Sequence, residues 1–215
     1  MDGGFMELSQ YPISDFLTAL ASKEATPGGG GASALAAALG AALGHMVGNL
    51  TVGKEKYKDV EADLYCLMNE TAQLQKELTA LIQRDAEAFA PLAEAYKLDK
   101  NDPEHDTVME QCLRRAAAVP MEVLRLCCRM IELHSEYAKK GSVMAVSDAA
   151  TGAVLCWAGM YGAAVNVVVN TRLMKDREYA RRMNAEADKL INKYWKLAER
   201  TYEDVYRQLK KEKKQ

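Results

Sequence analysis

Apolar residues recur with the 3.6-residue period of an α-helix along almost the whole chain, and this constrains the fold more than any other feature. Between residues 57 and 96 they mark one long amphipathic helix, which Pro91 can kink. A similar stripe runs from about Arg177 to the basic end KKEKK. No run of alternating β-branched residues bounded by turn signals is present. The pattern predicts an all-α fold, a helical bundle with long amphipathic helices.

The segment from about Ser33 to Thr51 predicts a helix of unusual composition. It consists mostly of Ala, Gly and Leu, and three glycines follow one another at one-turn spacing: Gly40, Gly44 and Gly48. Small-residue faces also pack membrane helices. Here His45 and Asn49 interrupt the run, and Ala and Gly contribute little transfer energy. We therefore expect a central helix buried in protein, whose glycine face could alternatively meet its copy in a partner subunit.

Capping residues set the first helix boundary. A helix is expected to begin at Ser14 or Asp15, which are good N-caps, and to end before Thr26.

No linker is long enough to divide the chain. We therefore expect one domain over residues 1–215, with its core at about 10–205.

Turn residues set the boundaries in the second half of the chain. The stretch LDKNDPEHD is the clearest loop. Two helices are expected after it, one ending near Ala118 and one starting at Pro120, because proline is favoured in a first turn. The second is expected to stop at Gly141. Asp148 is expected to open another small-residue helix.

Charge and composition exclude several classes of protein. A net charge of -2, with Lys and Arg spread along the chain, provides no basic field for nucleic acid. The N-terminus lacks the basic and apolar regions of a secretion signal, so we expect a cytoplasmic protein that does not enter a membrane. The five cysteines are odd in number and fall inside apolar helical patterns, which favours free buried thiols. The three histidines have no metal-ligand spacing, so no metal is expected.

The segment TPGGGG runs directly into the small-residue helix. The free N–H groups of Gly28, Gly29, Gly30 and Gly31, together with the helix N-terminus, form a potential anion cradle. Ser33 follows two positions later. The alternative is a flexible connection in which glycine permits close approach of the backbone.

Two carboxylates are candidates for proton transfer. Asp85 lies three and four residues from Ile82, Leu81 and Phe89, at the border of the apolar stripe, where partial burial would raise its pKa. Asp148 stands at the start of a helix beside Ser147, and an N-cap would account equally well for this position.

Further polar residues are candidates for substrate binding. Asn166 and Asn170 lie one turn apart on a helix of Ala, Val and Gly, where buried amides need partners. They either bond to neighbouring helices or line a polar site. Lys54, Lys56 and Tyr57 follow the small-residue helix, near Asn49, and could hold an anionic tail.

In order, the segments TPGGGGASALAAALGAALGHMVGNLTVGKEKY, RDAEAFAPLAEAY, AAAVP, SDAATGAVL and AAVNVVVN resemble the cyclodeaminase/cyclohydrolase family over about residues 10–205. The resemblance implies an all-helical homodimer that binds folate in a cleft close to the subunit interface and uses no metal or other cofactor. One position departs from the family pattern: Gly31 stands where better-known members have serine.

The activity that the resemblance implies is hydrolysis of 5,10-methenyltetrahydrofolate to 10-formyltetrahydrofolate. Asp85 or Asp148 would be the acid/base, and Asn166 and Asn170 would hold the pterin or the adduct. The glycine segment with Lys54 and Lys56 would face the glutamate tail. Two alternatives remain open: formiminotetrahydrofolate cyclodeaminase, which releases ammonia, and a non-catalytic helical folate-binding or scaffold protein.

Overall fold

A computed structural model describes residues 6–211. Residues 1–5 and 212–215, which include most of the basic end KKEKK and both ends of the expected domain, lie outside the described residues. Short 3₁₀ helices cover Leu8–Gln10 and Glu55–Val60. The α-helices are α1 (Ile13–Leu20), α2 (Gly29–Asn49), α3 (Glu61–Ala95), α4 (His105–Lys140), α5 (Val146–Thr171) and α6 (Arg177–Lys210). With no strand among the described residues, the predicted all-α fold is confirmed.

Helix α2 lies antiparallel to α5 at the centre of the bundle. A Cβ at Gly40 would meet the Cys156 thiol at 2.6 Å, and a Cβ at Gly44 would meet the His134 and Tyr137 rings at 3.1 Å. The face formed by Gly40, Gly44 and Gly48 is therefore buried within the protomer, where glycine permits close packing. The prediction of a buried central helix is correct, and this glycine face is not the one that meets another copy.

Three helix starts differ from those expected. Helix α1 begins at Ile13 with Pro12 as its N-cap, so neither Ser14 nor Asp15 caps it. Helix α2 begins at Gly29 and not at Ser33, so three residues of the glycine segment form its first turn. Helix α5 begins at Val146, with Ala145 as its N-cap and no side-chain cap. Asp148 therefore lies in the first turn of α5 and does not cap it.

The expected break between Ala118 and Pro120 is wrong, because α4 continues through Pro120. A proline inside a helix removes the N–H that would bond the carbonyl four residues earlier, here that of Ala116. The side chain of Asn170 on α5 donates a hydrogen bond to that carbonyl at 3.3 Å. A residue 54 positions away thus satisfies the group that proline leaves unpaired.

His134 on α4 is fully buried between α2 and α5. A Cβ at Gly152 would overlap its imidazole ring. Neither ring nitrogen has a hydrogen-bond partner among residues 6–211. Burial lowers the pKa of His134 to about 4, and the nearby Gly40 carbonyl, outside normal hydrogen-bond geometry, opposes this shift. This imidazole is neutral at pH 7.

By length and composition, two helices, Gly29–Asn49 and Val146–Thr171, are apolar enough to cross a membrane. Within this fold, 56% and 44% of their most apolar windows are buried against other helices. Both are core helices of the bundle, and each also has an exposed side.

Candidate active site

A cavity of about 190 Å³ lies where the N-terminus of α2 faces α3, α4 and α5. Its polar lining consists of Thr26, Gly28, Gly29, Gly30, Asp85, Asn166 and Asn170. Its apolar lining consists of Ala25, Phe89, Ala116, Pro120 and Val169. The cavity thus joins the glycine segment, one carboxylate and both asparagines that the sequence singled out.

Asp85 reaches the cavity from α3. The Gly31 N–H donates a hydrogen bond to its Oδ2 at 2.8 Å, and no other described residue bonds to this carboxylate. Burial raises the pKa of Asp85, and the Gly31 N–H opposes that rise by stabilising the charged form. A carboxylate with a raised pKa and a free oxygen is suited to take up and return a proton.

The glycine segment lets the backbone of α2 approach this carboxylate. A Cβ at Gly30 would overlap Asp85, and a Cβ at Gly29 would lie 2.9 Å from Nδ2 of Asn166. The N–H groups of Gly29 and Gly30 belong to the first turn of α2, where no preceding helical carbonyl is available. They can therefore bond to a ligand, and the helix N-terminus favours negative charge there.

Asn166 and Asn170 contribute two carbonyl oxygens to the cavity. Asn166 donates its Nδ2–H to the Gly162 carbonyl at 2.8 Å, and Asn170 donates its own to the carbonyls of Asn166 and Ala116. These bonds hold both amides in place. Of the two open alternatives, lining a polar site applies to both asparagines, and bonding to a neighbouring helix applies to Asn170 alone. Among the described residues, neither Oδ1 accepts a hydrogen bond, so both are available to a ligand.

Several lining residues were not predicted from the sequence. Phe89 follows Asp85 by one turn and Val169 follows Asn166 by three residues, so helical spacing could have placed them beside the cavity. Ser33, by contrast, does not line it. The Ser33 side chain is buried and its hydroxyl donates to the Gly29 carbonyl at 2.7 Å, so it supports the first turn of α2 from behind.

The other candidate residues lie at the opposite end of α2 and α5, which we call the Tyr57 end (Asn49, Lys54, Lys56, Tyr57 and Asp148). At 1.5 Å per residue, Asn49 is about 30 Å from Gly29, and Asp148 is about 27 Å from Asn166. Tyr57 accepts a hydrogen bond from the Val143 N–H at 3.2 Å, which lowers its pKa. Within one copy, this end does not contribute to the cavity.

The cavity combines a carboxylate of raised pKa, a helix N-terminus and two fixed amide oxygens. Such a site can move a proton and stabilise a polar intermediate. Among residues 6–211, no group of three or more His, Cys, Asp or Glu residues is placed to hold a metal ion. Fold and site together define an all-helical protein equipped for acid–base chemistry.

The chain belongs to the formiminotransferase-cyclodeaminase family, whose model matches residues 12–189. It is 41% identical over 197 residues to methenyltetrahydrofolate cyclohydrolase of Methylorubrum extorquens, covering 90% of this chain and 95% of that protein. It is 31% identical to formimidoyltransferase-cyclodeaminase of Mus musculus over 88% of this chain and 36% of the mouse protein, about a third of whose length it spans.

A solved structure supports the same relationship. The crystal structure of formiminotetrahydrofolate cyclodeaminase from Thermotoga maritima superimposes with a TM-score of 0.82 at 27% sequence identity. The match covers 93% of this chain and all of that chain. The family predicted from the ordered motifs is therefore confirmed.

Proposed function

We propose that this protein is a methenyltetrahydrofolate cyclohydrolase, which hydrolyses 5,10-methenyltetrahydrofolate to 10-formyltetrahydrofolate. The observation that carries the proposal is Asp85, whose carboxylate lies at the N-terminus of α2 with a raised pKa and a free oxygen. The similarity to the Methylorubrum enzyme over 95% of its length favours this reaction. Proton transfer by Asp85 meets the need of the chemistry, so we propose no resident cofactor.

The proposed reaction begins with water at the cationic methenyl carbon that bridges N5 and N10. As the water oxygen bonds to this carbon, Asp85 accepts its proton, and the negative carboxylate also stabilises the cation before addition. The tetrahedral adduct then loses its bond between carbon and N5. Asp85 returns the proton to N5, while the hydroxyl of the adduct loses its own proton to solvent and becomes the formyl carbonyl on N10. This released proton carries away the positive charge of the methenyl group, so atoms and charge balance.

The other polar groups would position the substrate. The free carbonyl oxygens of Asn166 and Asn170 can accept hydrogen bonds from pterin N–H groups or from the hydroxyl of the adduct. The Gly29 and Gly30 N–H groups can donate to a developing negative oxygen. Phe89 and Val169 supply apolar surface for the rings.

Formiminotetrahydrofolate cyclodeaminase is a second candidate, favoured by the close match to the Thermotoga structure. In that reaction N10 adds to the formimino carbon, and ammonia leaves from the tetrahedral adduct. Asp85 would then donate a proton to the departing nitrogen. A non-catalytic folate-binding or scaffold protein would instead bind folates without turnover; the Asp85 carboxylate, which keeps a free oxygen in the cavity, favours the enzymatic functions.

Two assays separate these functions. Loss of the methenyl absorbance, corrected for spontaneous hydrolysis, with 10-formyltetrahydrofolate as product, would support the cyclohydrolase. Ammonia release from formiminotetrahydrofolate without methenyl hydrolysis would support the cyclodeaminase. Binding of either folate with no turnover would contradict both enzymatic proposals.

We also propose that the protein acts as a homodimer, because α2 and α5 expose apolar side chains along one side.

A further inference from the structure

The cavity described above offers no cation to its substrate. Among the described residues, Asp85 is the one charged residue that lines it, and its carboxylate repels other negative groups. The volume of about 190 Å³ is also below the ~300–1,000 Å³ of pockets that enclose whole ligands. A folate carries a glutamate, joined to its rings through an aminobenzoyl group. This glutamate therefore lies outside the cavity, where its carboxylates need a positive partner.

Arg172 lies beside the cavity and keeps a free charge. It directly follows the last residue of α5 and is six residues from Asn166, about 9 Å along the helix. Val169 lines both the cavity and the groove between α5 and α6 that contains Arg172. Asp188 lines the same groove, but no carboxylate among residues 6–211 is within ion-pair distance of Arg172. The exposed guanidinium is therefore available to a ligand that extends out of the cavity.

Tyr96, directly after α3, lies close to Arg172. Burial raises the pKa of Tyr96, and the positive charge of Arg172 opposes this rise, which requires the two side chains to be near each other. Asp85, Phe89 and Tyr96 follow one another at four and seven residues, so they share one face of α3. Because Cα–Cβ bonds tilt toward the N-terminus of a helix, the side chains of Tyr96 and Arg172 start toward the cavity.

We infer that Arg172 and Tyr96 bind the α-carboxylate of the first glutamate of the folate tail, Arg172 through two parallel N–H groups and Tyr96 through its hydroxyl. The planar guanidinium matches a carboxylate in geometry. The α-carboxylate stays free in tails of any length, because further glutamates are attached through the γ-carboxylate. This inference rests on the proposed function for the identity of the tail.

The length of the substrate fits this assignment. At ordinary bond lengths, the aminobenzoyl group and its amide separate N10 from the Cα of the first glutamate by about 8 Å. The axial distance from Asn166 to Arg172 is similar, about 9 Å. Lys54 and Lys56, which the sequence suggested for the tail, follow the far end of α2, about 30 Å from Gly29. Within one copy, the first glutamate of a folate held in the cavity does not reach them.

Two substrates that differ only in the tail test the inference. One is 5,10-methenyltetrahydrofolate, and the other is the corresponding pteroic acid amide, which ends in a neutral carboxamide in place of glutamate. Loss of the tail should lower the wild-type kcat/KM by about 10- to 100-fold, the worth of charge-assisted hydrogen bonds. Arg172→Ala should lower kcat/KM for the full substrate by the same factor, through KM with kcat unchanged. On the amide it should match the wild type.

Three further variants sharpen the assignment. Arg172→Lys keeps the charge but loses the paired donors, so it should recover part of the loss in KM. Tyr96→Phe removes one hydrogen bond and should raise KM for the full substrate about 5-fold. Arg115→Ala is the matched control, because Arg115 is also exposed and lies next to the cavity residue Ala116 on α4. It should leave both substrates unaffected.

Other results would overturn the inference. An equal loss on both substrates in Arg172→Ala would show a structural role, and wild-type values on both would show no role. Discrimination between the substrates that is lost in Arg115→Ala or Lys23→Ala, but kept in Arg172→Ala, would place the tail elsewhere.

Failure of the proposed function is distinguishable from failure of the inference. If the wild type turned over neither methenyl- nor formiminotetrahydrofolate, the proposed function would fall. Calorimetric binding of tetrahydrofolate and of tetrahydropteroic acid amide would then decide the inference. Tighter binding of tetrahydrofolate by the wild type, lost in Arg172→Ala, would support it. Equal or absent binding of the two compounds by the wild type would overturn it.

Discussion

The two ends of the α2–α5 pair carry similar residue types in different surroundings. At the cavity end, Asp85 is half-buried and accepts a backbone hydrogen bond from the first turn of α2. At the Tyr57 end, the Asp148 carboxylate accepts no hydrogen bond from a described residue, and Lys54 and Lys56 are exposed. The difference teaches that enclosure by four helices, more than the presence of a carboxylate, prepares a side chain for proton transfer.

The largest expected effect comes from removing the Asp85 charge. Asp85→Asn should lower kcat by about 10²–10⁴-fold, or ~3–5 kcal/mol of transition-state stabilisation, because the proton acceptor is lost. Its free energy of unfolding at pH 7 should not fall. Because the pKa of Asp85 is raised in the folded protein, ionisation of its carboxyl opposes folding above that pKa. In the variant, the amide oxygen of asparagine can still accept the hydrogen bond from the Gly31 N–H. Steady-state kinetics and urea unfolding measure both quantities.

Glu77→Gln, two turns earlier on α3 and exposed, is the control for Asp85→Asn. It should leave both kcat and unfolding unchanged. Normal turnover of both folates by Asp85→Asn would contradict the assignment of the cavity end as the reacting end.

Between the two ends, His134 should make stability depend on pH. Its pKa is about 4 in the folded protein and ~6.5 in the unfolded chain. The unfolded chain therefore binds a proton first as pH falls, and the free energy of unfolding should drop by about 3 kcal/mol between pH 7 and pH 4. His134→Gln should remove this part of the slope in urea unfolding. An unchanged slope would show that His134 is not buried as a neutral imidazole.

At the cavity end the backbone of α2 lies so close to Asp85 that one added methyl group should lower activity. Gly30→Ala puts a Cβ onto the Asp85 carboxylate and should lower kcat/KM by about 10²-fold through its displacement. In Gly31→Ala the new Cβ meets the Ile82 carbonyl at 3.5 Å, an ordinary contact, so a much smaller loss is expected. Equal losses in the two variants would contradict this account of the glycine segment.

The smallest expected effect concerns the hydrogen bond from Asn170 to Ala116. Asn170→Ala should destabilise the protein by about 1–2 kcal/mol, because it leaves a buried carbonyl without a donor. In a Pro120→Ala background the helix regains its own N–H for that carbonyl, so the same substitution should cost less. Urea unfolding of the four proteins gives the coupling free energy, and additive effects would disprove this pairing.

Much of the fold could be predicted from the sequence, because long amphipathic stripes need only local periodicity to be recognised. The continuity of α4 through Pro120 could not, since it depends on Asn170 from another helix. At the site, the glycine segment, Asp85, Asn166 and Asn170 stood out as polar or flexible residues in apolar helices. Phe89 and Val169 did not, because apolar lining looks like core.

The separation of the candidate residues into two ends was only partly predictable. The expected helix from Ser33 to Thr51 puts Gly31 and Lys54 at its opposite ends, but it does not show at which end Asp85, Asp148 and the asparagines lie. Antiparallel packing of α2 and α5 then puts Asp148 beside the Tyr57 end and Asn166 beside Gly29. Only the packed structure shows which carboxylate shares a cavity with the glycine segment.

The most direct test of Asp85 as the acid/base is the pH dependence of kcat/KM for methenyltetrahydrofolate hydrolysis, corrected for the spontaneous reaction. We predict an acid limb whose apparent pKa lies above the ~3.9 of an ordinary aspartate and which disappears in Asp85→Asn. An acid limb that persists in Asp85→Asn, with turnover close to that of the wild type, would contradict the account.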